Sequence, residues 1–143
     1  MRRPGATLLL VFADNLTSLD LSELATAHAG TSADLTLAVH DETFVLPYGV
    51  VEQVDGVVTG YREKPGVPVT VGSGIAVVGP AAVGAISAGT MPAGVIDLVL
   101  RSVEAGLLVL AYPHRSAWVD VNDAASRERA EVLVRADPDA FEL

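Results

Sequence analysis

Two aspartates stand where predicted strands end. Asp14 follows the apolar run Leu8–Ala13, and Asp120 closes the short run Trp118–Asp120. Because open α/β sheets bind ligands beyond the carboxyl ends of their strands, both carboxylates could lie at one edge. Mg²⁺ is commonly held by one or two carboxylates together with substrate phosphates, so the pair predicts a candidate cation site. The alternative is structural, with Asp14 starting an Asx-turn and Asp120 helping to cap the last helix.

A carboxylate and an ammonium are adjacent in the segment Glu63–Lys64–Pro65. Glu63 could accept a hydrogen bond from a sugar hydroxyl, and Lys64 could bind a phosphate. Lys64 is the single lysine beside eight arginines, as expected of a site that needs a compact ammonium. The alternative is a solvated charge pair at a strand end.

Other reactive residue types point to no further chemistry. The chain has no cysteine, which excludes a disulfide framework, a thiolate nucleophile and a cysteine metal site. His28, His40 and His114 show no metal-ligand spacing. Of these, His28 is expected in the last turn of a helix and His114 in a solvated loop, with anion binding as the alternative for His114. Ser73 lies between glycines but lacks the pattern of a nucleophile elbow.

Composition predicts one folded domain over residues 1–143. Hydrophobic residues make up 50% of the chain and charged residues 19%, which excludes intrinsic disorder. The net charge of -9 makes nucleic acid and anionic membranes poor partners, because both require a positive surface. No run approaches the roughly 18 apolar residues of a membrane span, so we expect a cytoplasmic protein.

The first third of the chain predicts a β-α-β unit. The run Leu8–Ala13 is continuously apolar, which is typical of a strand buried on both faces of a sheet. Asp20, with Glu23 three residues later, predicts the start of a helix that ends at Gly30. A second strand is expected over Ala33–His40.

A β-hairpin and a mixed sheet are expected in the remainder. Asp55-Gly56 between two β-rich runs predicts the hairpin, and a loop containing Pro68 leads to a strand over Val71–Val78. The order of elements predicts an α/β fold with a mixed, mostly parallel sheet and helices on its faces. The later elements are predicted as helices over Pro80–Ala88 and Val95–Ala105, strands over Leu107–Tyr112 and Ala117–Val121, and a last helix capped by Asn122 and ending near Arg135.

Several motifs occur together in a recognisable order. The chain resembles the sugar-1-phosphate nucleotidyltransferases, also called NDP-sugar pyrophosphorylases, from about Leu8 to about Val134. The motifs that carry the resemblance are Val11–Leu21, His28, Ala33–Val39, Tyr48–Glu52, Glu63–Pro65, Gly74-Ile75 and Trp118–Val121.

The resemblance implies a role for each candidate residue. In that family a sugar 1-phosphate attacks the α-phosphate of a nucleoside triphosphate and releases pyrophosphate. Asp14 and Asp120 would then hold Mg²⁺, and Lys64 would bind the sugar phosphate. Glu63 would bind sugar hydroxyls, with the backbones of Gly49 and Gly74 against the sugar.

The departures from the family pattern limit what is expected of this chain. The family's Gly-rich triphosphate loop, G-x-G-T-R-L-x-P, does not occur in the sequence. Ala13 replaces the glycine usual before the first aspartate, and the usual Asn-Ala-Gly is Gly72-Ser73-Gly74, which lacks the amide side chain. The usual Asp-Ile-Gly-Thr is Asp120-Val121-Asn122-Asp123. We therefore expect a truncated nucleotidyltransferase fold that is inactive alone. The alternatives are a binding or regulatory subunit for sugar phosphates or nucleotide sugars, and a self-associating structural protein.

A partner is expected at the first strand. An apolar strand at an open sheet edge invites pairing with another chain, so we expect a homodimer or a heteromer that covers the edge near Leu8–Ala13. The small-molecule partner implied by the resemblance is a sugar 1-phosphate or an NDP-sugar.

Overall fold

A computed structural model describes residues 5–87 and 94–141 of the chain. A 3₁₀ turn over Pro138–Phe141 follows the last helix. The other elements, in chain order, are β1 Leu8–Val11, β2 Asn15–Thr17, α1 Leu21–Ala29, β3 Leu35–Val45, β4 Val50–Val54, β5 Val57–Arg62, β6 Gly66–Val78, α2 Pro80–Ser87, α3 Val95–Glu104, β7 Val109–Pro113, β8 Trp118–Asp120 and α4 Ala124–Ala136.

The chain divides into two compact units. The larger takes in Met1–Val39 and Gly72–Leu143, and the smaller takes in His40–Val71. The boundaries fall within β3 and β6. The prediction of a single domain stays a prediction.

The main sheet has four strands in the order β1-β6-β3-β7. β1 pairs antiparallel with β6, and β3 pairs parallel with β7. A separate two-stranded sheet joins β2 to β8, again antiparallel. The predicted mixed α/β class is confirmed. Antiparallel pairs are nevertheless more prominent than the sequence indicated: β1–β6, β2–β8 and the β4–β5 hairpin are antiparallel, whereas β3–β7 is parallel.

Both faces of the main sheet carry a hydrophobic core in the larger unit. On one face Leu24 of α1 packs with Ala38, Ile75 and Val77. On the other, Leu98 of α3 packs with Leu35, Ala76, Val78 and Ala82. The alternation of side chains along β6 therefore sends Ile75 and Val77 to one core and Ala76 and Val78 to the other.

β1 departs from its prediction as a strand buried on both faces. Leu8, Leu9 and Val11 are each nearly half exposed. The reason lies in the strand order, because β1 is a terminal strand of the sheet and has β6 on one side only.

Local capping explains where α1 begins and ends. The Asp20 carboxylate accepts hydrogen bonds from the backbone N–H groups of Ser22 (2.8 Å) and Glu23 (3.0 Å), as predicted. Gly30 ends the helix. His28 in the last turn is buried, with its Nδ1 2.8 Å from Thr36 Oγ1, so its ring belongs to the core.

The later helices begin and end close to the predicted positions, but the residue that caps α4 differs from the prediction. α3 ends before Ala105 and Gly106, as expected, whereas the predicted α2 end, Ala88, lies outside the described residues. α4 is capped by Asp123 and not by Asn122, because the Asp123 carboxylate accepts the Ser126 N–H at 2.7 Å. Among the described helices, none has both the length and the apolar character needed to cross a membrane.

The smaller unit contains the predicted hairpin. β4 and β5 pair antiparallel, and the turn residues Asp55 and Gly56 have φ values of 49° and 83°. Positive φ at both central residues is the geometry that Asp-Gly favours in a two-residue hairpin turn. The loop predicted around Pro68 is instead part of β6. Proline is tolerated there because β1 pairs only with Ile75–Val78, which leaves one side of β6 without β1 at Pro68.

The two helix caps predict an acid-sensitive fold. Hydrogen bonds from Ser22 and Glu23 lower the pKa of Asp20 below 3.8, and hydrogen bonds from Ser126 lower that of Asp123. A folded-state pKa below the unfolded value stabilises the fold above the unfolded pKa, and this stabilisation is lost as pH falls through the folded pKa. The melting temperature should therefore fall between about pH 5 and pH 3, and the variant Asp20→Asn/Asp123→Asn should flatten this fall. Asp55→Asn, at an exposed carboxylate outside both caps, is the control. An unchanged acid slope in the double variant would contradict the assignment.

Candidate functional site

The pairing of β2 with β8 brings together the two backbone segments that carry the predicted cation ligands. Asn15 lies opposite Asp120 in this pair, and Asp14 directly precedes Asn15. The Val121 N–H donates to the Asp14 carbonyl at 2.8 Å, which extends the pairing by one residue on each strand. Two carboxylates separated by more than a hundred residues of sequence are thus attached to adjacent backbones.

The two carboxylates have different surroundings. Asp14 is exposed in a tight turn closed by the Asn15 N–H and the Phe12 carbonyl (3.3 Å). Asp120 is half-buried, and its Oδ2 accepts a hydrogen bond from Asn122 Nδ2 at 2.6 Å. Asp120 therefore does not cap the last helix, and Asn122 orients its carboxylate instead.

These groups suit a hard divalent cation. Carboxylate oxygens are the ligands that Mg²⁺ prefers, and Mg²⁺ usually keeps water or phosphate oxygens in its other positions. Over the described ranges, no cluster of three or more His, Cys, Asp or Glu side chains could hold a metal. A cation bound by Asp14 and Asp120 would therefore have two protein carboxylates as ligands, and water or phosphate oxygens would fill its other positions.

A carbonyl of β6 anchors the segments on which both aspartates lie. The Ser73 carbonyl accepts hydrogen bonds from Asn15 Nδ2 (2.8 Å) and from Trp118 Nε1 (2.9 Å). Asn15 follows Asp14, and Trp118 lies two residues before Asp120. One buried backbone oxygen therefore fixes both ligand-bearing segments relative to β6.

Gly74 makes this anchorage sterically possible. Its φ of +70° is in the left-handed region that favours glycine. A Cβ at this position would overlap the Asn15 side-chain amide and would lie 3.1 Å from the Phe12 ring. The Gly74 carbonyl also accepts the Phe12 N–H at 2.9 Å. The predicted substrate-binding glycine thus has a demonstrable packing role beside the aspartate pair.

Ser73 and His114 complete the larger unit's polar cluster. Ser73 is fully buried, and its Oγ lies 2.7 Å from His114 Nε2. His114 is half-buried, so its prediction as part of a solvated loop is wrong. The reason is its tertiary contact with β6, 41 residues earlier in the chain.

The other predicted site residues lie in the smaller unit, near the base of the hairpin. Tyr61 OH donates to Glu63 Oε2 at 3.1 Å. A Cβ on Gly49 would overlap the same tyrosine hydroxyl, so Gly49 lies directly against Tyr61. The structure thereby gathers Gly49, Tyr61 and Glu63 at one place.

Lys64 has a strained backbone. Its φ is +42°, in a region that non-glycine residues enter at a cost of roughly 1–3 kcal/mol. Its side chain is exposed. Strain of this kind clusters at functional sites, and glycine would relieve it, so the presence of lysine here favours a role for the ammonium.

The structure adds residues that sequence reasoning missed. Asn15, Trp118 and Asn122 position the aspartate pair, and Tyr61 connects Gly49 to Glu63. Two signals in the sequence could have pointed to them: the polar amides directly after Asp14 and near Asp120, and the glycines that flank Ser73.

Comparison with solved structures places the chain in a known fold. It superimposes with a TM-score of 0.64 and 17% identity on a protein from Bacillus anthracis assigned as a glucose-1-phosphate thymidylyltransferase, crystallised with sucrose. That match covers 90% of this chain and 55% of the other. HddC from Yersinia pseudotuberculosis matches with a TM-score of 0.58 and 14% identity, over 90% of this chain and 56% of the other.

These matches show the fold, and the chain spans about half the length of both neighbours. No protein-family model and no curated protein sequence matches it. The resemblance found in the sequence is therefore supported at the level of the nucleotidyltransferase-like fold.

Substitution of two neighbouring glycines in β6 tests whether the Asn15 side chain needs the space beside Gly74 to reach the Ser73 carbonyl. Gly74→Ala should lower the free energy of unfolding by about 1–3 kcal/mol, because it adds backbone strain and displaces the Asn15 amide. Gly72→Ala is the matched control, since a Cβ there meets open space. Urea unfolding of both variants measures the difference. Equal stabilities would show that the turn does not depend on Gly74.

Proposed function

We propose that this chain is a nucleotidyltransferase-like protein that binds a sugar 1-phosphate, alone or as part of an NDP-sugar, together with Mg²⁺. The observation that supports the proposal is the β2–β8 pairing, in which Asp120 lies opposite Asn15 and the Asp14 carbonyl accepts the Val121 N–H, so that the two aspartates lie on adjacent backbone segments. The fold shared with a glucose-1-phosphate thymidylyltransferase supports it. By the resemblance to the sugar-1-phosphate nucleotidyltransferases, Asp14 and Asp120 would be the metal ligands.

In this proposal the larger unit supplies the cation site. Asp14 and Asp120 would hold Mg²⁺, which would neutralise phosphate charge when bound. Asn122 holds one Asp120 oxygen and leaves the other available. Asn15 and Trp118 donate to the Ser73 carbonyl and so hold the backbone segments next to both aspartates against β6.

By the resemblance, the residues that would contact the sugar and the phosphate lie in the smaller unit. Tyr61 orients the Glu63 carboxylate, which can accept hydrogen bonds from sugar hydroxyls. The exposed Lys64 ammonium would bind the phosphate as a point charge. The absence of a Cβ at Gly49 makes room for the Tyr61 hydroxyl that binds Glu63. By the resemblance, the Gly49 backbone would lie against the sugar.

Binding rather than turnover is the function proposed for the chain by itself. Nucleotidyl transfer requires a group that holds the triphosphate, and the sequence contains no Gly-rich loop of the family type. A panel of hexose 1-phosphates, nucleoside triphosphates and NDP-sugars, each with and without Mg²⁺, tests this by thermal shift. Hits are then assayed for pyrophosphate release. Stabilisation without release is expected; release would show that the chain is an active enzyme, and a flat panel would remove the proposed function.

The cation pair is tested by removing one negative charge at a time. Asp14→Asn and Asp120→Asn should each weaken Mg²⁺-dependent binding of the sugar phosphate by at least about tenfold, since each removes a charged oxygen ligand. Isothermal titration calorimetry at fixed Mg²⁺ gives the affinities. Asp55→Asn is the control, because asparagine also tolerates the positive φ of the hairpin turn. If both site variants bind like the control, the aspartates have only a structural role.

The phosphate contact is tested at Lys64. Lys64→Ala should abolish measurable binding of a hexose 1-phosphate, and Lys64→Arg should weaken it, because a guanidinium keeps the charge but not the compact geometry. Lys64→Gly separates binding from folding: it removes the ammonium and also relieves the positive φ, so stability should be unchanged or higher. Equal titrations for wild type and Lys64→Ala would exclude Lys64 from the site.

A further inference from the structure

One oxygen of the Asp120 carboxylate is already engaged within the protein. Asp120 Oδ2 accepts a hydrogen bond from Asn122 Nδ2 at 2.6 Å, a short distance even for a bond to a charged oxygen. An ionised carboxylate only accepts hydrogen bonds, so the Asn122 amide must present its NH₂ group and not its oxygen. A cation that binds Asp120 therefore meets a carboxylate of which one oxygen is shared with a positively polarised donor.

The backbone that carries Asn122 is fixed on both sides of it. The Val121 N–H donates to the Asp14 carbonyl at 2.8 Å. The N–H groups of Asn122 and Asp123 donate to Ser126 Oγ at 3.0 and 2.9 Å, and Ser126 is buried. Because these bonds hold the main chain between β8 and α4, only the Asn122 side chain remains to be ordered when its amide binds the carboxylate.

The two candidate cation ligands differ in their freedom to turn. Asp14 is exposed, so its carboxylate can rotate to suit a bound cation. Asp120 is half-buried, and rotation of its carboxylate would break the bond to Asn122. A hydrogen bond to a charged group contributes more than one between neutral groups, so its loss is costly. The constraint on which cation the pair accepts therefore comes from Asp120.

Mg²⁺ and Ca²⁺ make different demands on a carboxylate. Mg²⁺ requires near-octahedral ligands at about 2.0–2.1 Å and keeps several waters or phosphate oxygens, so one oxygen from each carboxylate is sufficient. Ca²⁺ takes about six to eight oxygens at about 2.3–2.6 Å and commonly uses both oxygens of a carboxylate. An Asp120 that ligates through Oδ1 alone keeps its bond to Asn122, whereas one that ligates through both oxygens must give up that bond.

We propose that Asn122 determines the cation specificity of this site: by holding Oδ2, it restricts Asp120 to one ligating oxygen and so favours Mg²⁺ over Ca²⁺. The inference rests on the proposed function, because the cation is the one assigned there to Asp14 and Asp120. In this role Asn122 does not ligate the cation. It is a positioning residue that acts through the Asp120 carboxylate.

Calorimetric titration of the intact chain with magnesium chloride and with calcium chloride tests the proposal. Wild type should bind Mg²⁺ more tightly than Ca²⁺. Asn122→Ala should weaken Mg²⁺ binding by about tenfold, the usual effect of removing a group that orients a metal ligand. Ca²⁺ binding should be unchanged or tighter, since the second Asp120 oxygen becomes available. The ratio of the two dissociation constants should therefore shift toward Ca²⁺ by at least about tenfold.

Trp118 provides a second measurement close to the same carboxylate. It is the single tryptophan of the chain, lies two residues before Asp120 and donates from Nε1 to the Ser73 carbonyl at 2.9 Å. Its fluorescence should follow each titration with the dissociation constants that calorimetry gives. Asp120→Asn should remove the saturable signal of both cations. Unchanged affinities in Asp120→Asn would place the cations elsewhere on the chain and overturn the inference.

Gln53→Ala is the matched control. Gln53 is, like Asn122, an exposed amide with one short hydrogen bond, because its Oε1 accepts the Gly56 N–H at 2.7 Å. It lies in the smaller unit, so its loss should change neither affinity. The melting temperature of Asn122→Ala without added cation should equal that of wild type, since alanine keeps the backbone N–H that binds Ser126.

The outcomes that would overturn the inference bear differently on the proposed function. If Asn122→Ala weakens both cations equally, or neither, Asn122 has at most a structural role, while the cation site at Asp14 and Asp120 stands. If wild type binds Ca²⁺ as tightly as Mg²⁺, the Asn122 bond does not restrict Asp120. If wild type binds neither cation, with or without a hexose 1-phosphate, the cation site of the proposed function is lost as well.

Discussion

The Ser73 carbonyl is the group on which the arrangement of the larger unit depends. Its two side-chain donors, Asn15 and Trp118, come from positions 58 and 45 residues away. A buried carbonyl left without a donor is costly, so this group holds the Asn15 turn and β8 in place as a pair. The register of β2 against β8 follows, and with it the placement of Asp14 and Asp120 on adjacent backbone segments.

The anchorage relies on the absence of side chains as much as on hydrogen bonds. β6 approaches the Phe12–Asn15 turn at Gly74, where a side chain would overlap the Asn15 amide. The buried Ser73 hydroxyl beside His114 adds a further polar contact at the same point. Polar groups in a low-dielectric interior tolerate few alternative arrangements, so this cluster can define the geometry of a site whose carboxylates remain accessible to solvent.

The smaller unit achieves local order by other means. Its turn depends on positive φ at Asp55 and Gly56, and the segment after β5 contains a strained lysine. None of its residues is buried, and its polar contacts include the hydrogen bonds from Tyr61 to Glu63 and from Thr70 to Asp41. The larger unit is therefore held by a core on both sheet faces, and the hairpin mainly by backbone pairing and turn chemistry.

Local chemistry allowed the sequence alone to determine many elements. The Asp20 cap, the Gly30 stop, the Asp-Gly turn and the strand over Val71–Val78 depend on neighbouring residues, and all were predicted. The mixed α/β class also followed, because it depends on the order of elements. The candidate residues Asp14 and Asp120 could be named from their positions at strand ends.

Only the tertiary structure decided how those residues are held. The pairing of β2 with β8, the exposure of β1, the incorporation of Pro68 into β6 and the contact of His114 with Ser73 all depend on partners distant in sequence. No local pattern specifies which strand lies at an edge or which carbonyl receives a tryptophan N–H. Strand neighbours and buried hydrogen bonds are chosen by the packing of the whole unit, and that choice placed the two aspartates on adjacent backbones.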